Sequence, residues 1–165
     1  VIGIDMTEAM IEKARINASK LGFANVEFRL GDIENMPVEN NFADVVISNC
    51  VLNLVPDKEK AFREVFRILK PGGHLSVSDI VLQGTLPAEI QKAAEMYAGC
   101  VSGAIPKKAY LEIMANAGLR NASVQREKEV PIPDETLMRY LTMEQMEAFK
   151  VSGAGVFSIT VYAEK

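Results

Sequence analysis

The sequence predicts an α/β fold, a mostly parallel sheet with helices on both faces, and three observations lead to it. Apolar runs of strand length alternate with segments of helical periodicity. The early strands close on polar residues just before helices begin, and a Lys-Pro-Gly-Gly turn divides a helix from the strand that follows.

Val1-Ile2-Gly3-Ile4-Asp5 is an apolar run closed by a carboxylate. Thr7 then opens a helix in which Met10, Ile11, Ala14, Ile16 and Leu21 recur at helical spacing until Gly22 stops it. Asn25 to Leu30 alternates Val26, Phe28 and Leu30 and ends at Gly31-Asp32. Ala43 to Cys50, ADVVISNC, is a nearly continuous apolar strand of the kind buried on both faces. Asp57 begins a helix with Ala61, Val65, Ile68 and Leu69 on one face, and Lys70-Pro71-Gly72-Gly73 turns the chain into a strand from His74 to Ile80. Further on, Pro87 to Met96 and Lys107 to Ala117 read as helices and Ala122 to Val130 as a strand. Asp134 to Lys150 reads as a Met-rich helix and Gly155 to Ala163 as a last strand. Strands separated by helices call for parallel crossovers.

A chain of 165 residues, 48% apolar, buries one core, so residues 1–165 are expected to form a single domain. The net charge of -4 argues against a nucleic-acid surface, which needs a basic stripe to replace counterions. No apolar run approaches the roughly 20 residues that cross a bilayer, and VIGIDMTEAM has no basic region before a long apolar stretch. The chain therefore reads as cytoplasmic. Two cysteines are too few for a secreted disulfide framework, so they are expected to be thiols.

Ligands of open α/β sheets bind beyond the carboxyl ends of the strands, which makes Asp5, Asp32 and Asn49-Cys50 the candidates. A carboxylate placed like Asp5 can accept both hydroxyls of a ribose. The plainer alternative is a helix cap, a need Thr7 already fills. Asp32, in Gly31-Asp32-Ile33-Glu34, can accept from an exocyclic adenine amine with Met6 and Ile33 on the ring faces, or can simply form an Asp turn. The cysteines stand in SNCVLNLVPD and AGCVSGA. Thiolates hold soft metals and metalloids, and the Gly/Ser/Ala surroundings of Cys100 suit such a ligand, although either cysteine taken singly also reads as a small buried hydrophobe. His74 is expected in a solvated loop without a role. Met138, Met143 and Met146 are expected as core filler, and EKARINASK and PDKEKAFRE as solvated helix faces.

GIDMTEAMIEKAR, VEFRLGDIENMP, FADVVISN and REVFRILKPGGHL resemble the successive motifs of class I S-adenosylmethionine-dependent methyltransferases over most of the chain. Within that superfamily, SNCVLNLVPDKEKAFREVFRILKPGGHLSVSDIV and YAGCVSGAI are similar to the arsenite methyltransferases. The resemblance implies a Rossmann-like three-layer sandwich, with S-adenosylmethionine held by Asp5, Met6, Asp32, Ile33, Glu34 and Asn49. It implies Cys50 and Cys100 as thiolate ligands of trivalent arsenic, whose lone pair attacks the sulfonium methyl without an obligatory general base. Glutathione or thioredoxin would be the thiol reductant. Family members carry a further strand and a GxGxG turn before GIDMTEAM. This chain starts at Val1, so it is expected to lack both, to be an N-terminally truncated domain, and to be inactive by itself. The strands ending at Asp5 and Asn49 would then pair directly or borrow a strand by dimerisation. A generic methyltransferase of the quinone-biosynthesis type and a noncatalytic interaction domain are the alternatives.

Overall fold

The computed structural model describes residues 1–87, 90, 101 and 103–165. The helix expected over Pro87 to Met96 and the thiol of Cys100 lie largely or wholly outside these described residues. The chain begins with β1 (Ile2–Asp5), α1 (Glu8–Lys20) and β2 (Glu27–Leu30), and β1 and β2 pair in parallel as a two-stranded sheet. Then come β3 (Ala43–Asn49), a short 3-10 turn at Leu52–Leu54, α2 (Lys58–Ile68) and β4 (Leu69–Gln83). After them stand α3 (Lys107–Asn116), β5 (Arg120–Val130), α4 (Asp134–Leu137), α5 (Met143–Val151) and β6 (Gly155–Glu164). The second sheet has the order β3-β4-β6-β5.

The sheet is mixed rather than mostly parallel. β3 and β4 run parallel, but β6 returns antiparallel between β4 and β5, with Gly155 opposite Gln83 and Glu164 opposite His74. Chain direction is set by where α5 releases β6, beside the carboxyl end of β4, and residue periodicity carries no record of that. β1 and β3, the strands ending at Asp5 and Asn49, do not pair with each other; they belong to separate sheets.

The core explains why α2 is where it is. Asp57 caps it, its carboxylate accepting the Lys60 N–H at 2.9 Å, and Ala61, Phe62, Val65 and Ile68 all point inward. They meet Leu75, Val77 and Val81 of β4, Ile159, Val161 and Ala163 of β6, and Tyr110 and Met114 of α3 in one cluster. Burying each large side chain there contributes about 1.5–3 kcal/mol. α2 and α3 thus cover one face of the four-stranded sheet. The opposite row starts with His74, Ser76 and Ser78 beside Thr160 and Tyr162 and continues with Ile80 and Leu82 beside Ser158 and Val156, where Val101 and Ala104 cover it.

Further expectations change. Among the described residues β3 is an edge strand, not one buried on both faces, and Val45 and Ile47 are exposed. On α1 only Ile11 is buried, while Met10, Ile16 and Leu21 are exposed, because two strands at about 4.8 Å spacing cover one stripe of a helix. The Met-rich helix is split: the Thr142 hydroxyl accepts the Gln145 N–H and the Gln145 side chain accepts the Thr142 N–H, a capping box that starts α5 afresh. Met146 is buried but Met138 and Met143 are exposed. The Lys-Pro-Gly-Gly turn is a bulge within β4, since Leu69 pairs with Ala43 and the next register pair is His74 with Val45. His74 accordingly sits in a strand, its ring 5.1 Å from that of Tyr162.

The run PDKEKAFRE is not wholly a solvated face. Glu59 and Arg63 form the exposed i,i+4 pair, but Glu64 accepts the Met36 N–H at 2.8 Å. Arg67 grips Glu64 with two bonds and donates to the carbonyls of Met36 and Val38 and to Asn40. This clamp fastens the loop after β2 to α2, and the Arg67 guanidinium holds the Glu64 carboxyl below its ordinary range. Arg67→Ala is expected to lower stability by about 2–4 kcal/mol, measured by urea unfolding, because Glu64 and two carbonyls lose their partner together.

Candidate active site at the carboxyl ends of the strands

The parallel strands deliver the expected residues to their carboxyl ends. Asp5 closes β1 and lies beside the end of β2, where the Gly31 N–H donates to the Asp5 carbonyl. The Asp5 carboxylate accepts the Thr7 N–H at 2.7 Å, while the Thr7 side chain makes no capping bond, so Asp5 and not Thr7 secures the start of α1. Met6 beside it is exposed. The Asp32 carboxylate accepts the Glu34 N–H at 2.8 Å in a tight turn, with Ile33 packed on the main core. Glu34 reaches across to the start of α2, accepting the Asp57 N–H at 3.2 Å and facing the Lys60 ammonium at 3.7 Å. It is the bridge between the edge of the first sheet and the segment after Cys50. Both carboxylates stand at strand ends, acceptors of the kind that the hydroxyls and amine of a nucleoside require.

Asn49 ends β3 opposite Ser78 of β4, and Cys50 follows in a left-handed conformation, φ +55°, unusual for a residue with a side chain. Its N–H donates to the Ser78 carbonyl at 2.8 Å. The half-buried Cys50 side chain packs against a cluster containing Val101 and Ala104, which are nearly fully buried together with Ile80, Leu82 and Val156. Val101 is the chain neighbour of Cys100. The same approach is recorded at Gly103, where a Cβ would fall 1.9 Å from the Asn53 carbonyl oxygen. Only glycine lets these two segments lie this close. The structure thus seats the chain on either side of position 102 against the turn that carries Cys50, while Cys100 itself is outside the described residues.

Sequence reasoning missed Asp79. Leu75, Val77, Asp79 and Val81 alternate along β4, and the carboxylate occupies a position in an otherwise apolar row, 1% exposed. Its Oδ2 accepts the Tyr110 hydroxyl at 2.6 Å. Oδ1 has no partner at hydrogen-bonding distance among the described residues. Burial pushes the Asp79 carboxyl up to about 6; Tyr110, the amides of Asn53 and Cys50 and the Lys58 ammonium oppose that rise. Lys58, partly buried and donating to the Val55 carbonyl at 3.1 Å, is pulled down by its own burial. The interruption of the row at Asp79 was the readable signal.

A carboxyl with a folded pKa above its unfolded value of 3.8 favours the folded state when protonated. Its contribution is complete below pH ~4 and is lost as pH rises through ~6, about 3 kcal/mol at ~1.4 kcal/mol per unit. Chemical denaturation across pH 4 to 7.5 is expected to show that decline, and Asp79→Asn to flatten it.

Residues 1–118 match the model of a methyltransferase domain family. The chain belongs to that family. It is 38% identical, over 91% of its length, to an arsenite methyltransferase of Halobacterium salinarum and 33% identical, over 86%, to one of Aquipseudomonas alcaligenes. It spans about two fifths of the length of these relatives, 40% and 43%. Among solved structures, an arsenic(III) S-adenosylmethionine methyltransferase from Chlamydomonas reinhardtii superposes with a TM-score of 0.78 at 29% identity, covering 100% of this chain and 55% of that one.

Proposed function

We propose that the protein transfers a methyl group from S-adenosylmethionine to trivalent arsenic held by the thiolates of Cys50 and Cys100. The observation that carries this reading is the packing of Cys50 on Val101 and Ala104, reinforced by the contact of Gly103 with the Asn53 carbonyl. It is supported by the arsenite methyltransferases to which the chain is similar. Asp5 and Asp32 would take the ribose hydroxyls and adenine amine, with Met6, Ile33, Glu34 and Asn49 around them. A soft metalloid prefers thiolate to these carboxylates, so donor and acceptor sites separate by chemistry. In the transfer the arsenic lone pair forms the As–C bond, the C–S bond breaks, and its electron pair stays on sulfur. Arsenic is formally oxidised by two electrons, and two thiols, from two glutathione molecules or one thioredoxin, return them as they form a disulfide. Alignment of lone pair, methyl and leaving sulfur supplies much of the rate enhancement.

The deciding experiment incubates the reduced protein with S-adenosylmethionine and arsenite and follows S-adenosylhomocysteine and methylated arsenic by mass spectrometry. Arsenite-dependent product is expected, a result that would overturn the inactivity expected from the sequence of residues 1–165 alone. Binding of S-adenosylmethionine with indifference to arsenite would instead mark a generic small-molecule methyltransferase, and binding of neither an interaction domain.

A further inference from the structure

We propose that Glu34 is a positioning residue that sets the donor half of the site against the acceptor half. Its effect on turnover rests on the reading of Cys50 as an arsenic ligand; its effect on alignment does not. Asp5 and Asp32 stand at and just beyond the ends of β1 and β2, Asn49 and Cys50 at the end of β3, and these strands lie in two separate sheets. Among the described residues no strand pairing joins the sheets, so their alignment depends on what crosses between them. Part of that join is apolar and without direction: Ile4, Ile33 and Val38 pack against the main core. The directional part runs from the loop after β2 to α2. Glu64 and Arg67 hold Met36, Val38 and Asn40. Glu34 acts closer in sequence to the candidate ligands, two residues after Asp32 and against Asp57, which is seven residues after Cys50.

Both oxygens of the Glu34 carboxylate are engaged by the start of α2. Oε1 accepts the Asp57 N–H at 3.2 Å and Oε2 faces the Lys60 ammonium at 3.7 Å. The backbone of the same residue serves the other half, its N–H donating to the Asp32 carboxylate at 2.8 Å. The side chain is 19% exposed, so these contacts to a charged group are screened less than those of a surface pair. Between Cys50 and Asp57, Leu52, Asn53 and Val55 are buried, and the Leu54 and Val55 N–H groups bond back to Val51 and Leu52. A segment packed in this way moves as a unit, so a shift at Asp57 is a shift of the Cys50 turn. Transfer needs the arsenic lone pair, the methyl carbon and the leaving sulfur in line, with donor and acceptor carried on different sheets. Misalignment of the halves therefore leaves each ligand bound and slows their reaction.

The test compares Glu34→Ala and Glu34→Gln with the wild-type protein. Calorimetry gives the Kd of S-adenosylmethionine and of arsenite separately, and steady-state kinetics gives kcat. Glu34→Ala is expected to lower kcat at least about tenfold while each Kd moves by less than about threefold. Glu34→Gln, which keeps an oxygen for the Asp57 N–H, is expected to restore most of the loss. Alignment is read without arsenic by pulsed electron paramagnetic resonance between nitroxide labels at Lys13→Cys on α1 and Lys108→Cys on α3, both exposed, in protein carrying Cys50→Ser and Cys100→Ser. Glu34→Ala is expected to shift or broaden the distance between the labels, and Glu34→Gln to hold it. If Glu34→Ala does not fold, Lys60→Ala, which removes the ion pair alone, carries both comparisons with a smaller change in the same direction. A folded Glu34→Ala variant with the wild-type label distance overturns the proposal, as does a loss of kcat matched by an equal loss of affinity for either ligand. Wild-type protein that ignores arsenite while its label distance still responds to Glu34 upholds the positioning role and removes only its link to arsenic.

Discussion

Cys50→Ser is expected to abolish arsenite binding and arsenite-dependent turnover while leaving S-adenosylmethionine binding unchanged. A serine hydroxyl is a hard, protonated oxygen with little affinity for a soft metalloid, so the substitution removes a ligand outright while conserving shape. Changes in groups that merely orient a ligand cost about 10–100-fold in affinity, and loss of the ligand itself is expected to exceed that. Cys50 is well placed to show the effect cleanly. It is half-buried at a strand end, so the small volume change is tolerated, and its backbone bond to Ser78 is independent of the side chain. Cys100→Ser is expected to give the same phenotype, and the double variant no further loss, because two ligands of one centre act as a unit. Calorimetric titration of arsenite into the reduced protein checks this. Undiminished binding in either single variant would separate the cysteines and remove the shared site.

Gly103→Ala is expected to lower arsenite turnover by about a hundredfold without touching either cysteine, the loss that a displacement of ~1 Å can impose. The new Cβ would lie 1.9 Å from the Asn53 carbonyl oxygen and 3.2 Å from the Leu54 Cα, backbone atoms that cannot swing aside as a flexible side chain would. Either the segment after Cys100 retreats or the Cys50 turn gives way, and in both cases the two thiol-bearing segments part. Gly22→Ala is the control for a substitution without crowding: its φ is +72°, a left-handed value that Gly103 does not share, yet a Cβ there would meet nothing within 4 Å. It is expected to cost at most about 1–2 kcal/mol of stability and no activity. Steady-state kinetics with both variants, alongside their thermal midpoints, separates a local displacement from general destabilisation. Equal turnover in the two would mean that the close approach at Gly103 does not govern the site.

Much of the local structure was legible in single residues. Asp57 announced α2, and the spacing of Ala61, Val65 and Ile68 announced the face it buries. The signature of the split between α4 and α5 was also present, as Thr142 with Gln145 three residues later, but the run of methionines masked it. Asp79 was readable as a break in an apolar row. By contrast, the exposure of Ile47, the antiparallel return of β6 and the Arg67 clamp depend on which segments become neighbours, and periodicity is silent on that.

Side-chain type and spacing along one segment were enough to read the alternation of strands and helices and to name the strand-end residues and the two cysteines as candidates. Only long-range packing decided the mixed sheet, the contact of the Cys50 turn with Val101, Gly103 and Ala104, and the burial of Asp79 against Tyr110. Those are meetings of residues roughly 25 to 80 positions apart, and they are selected by burial and backbone hydrogen bonding over the whole core rather than by any local preference.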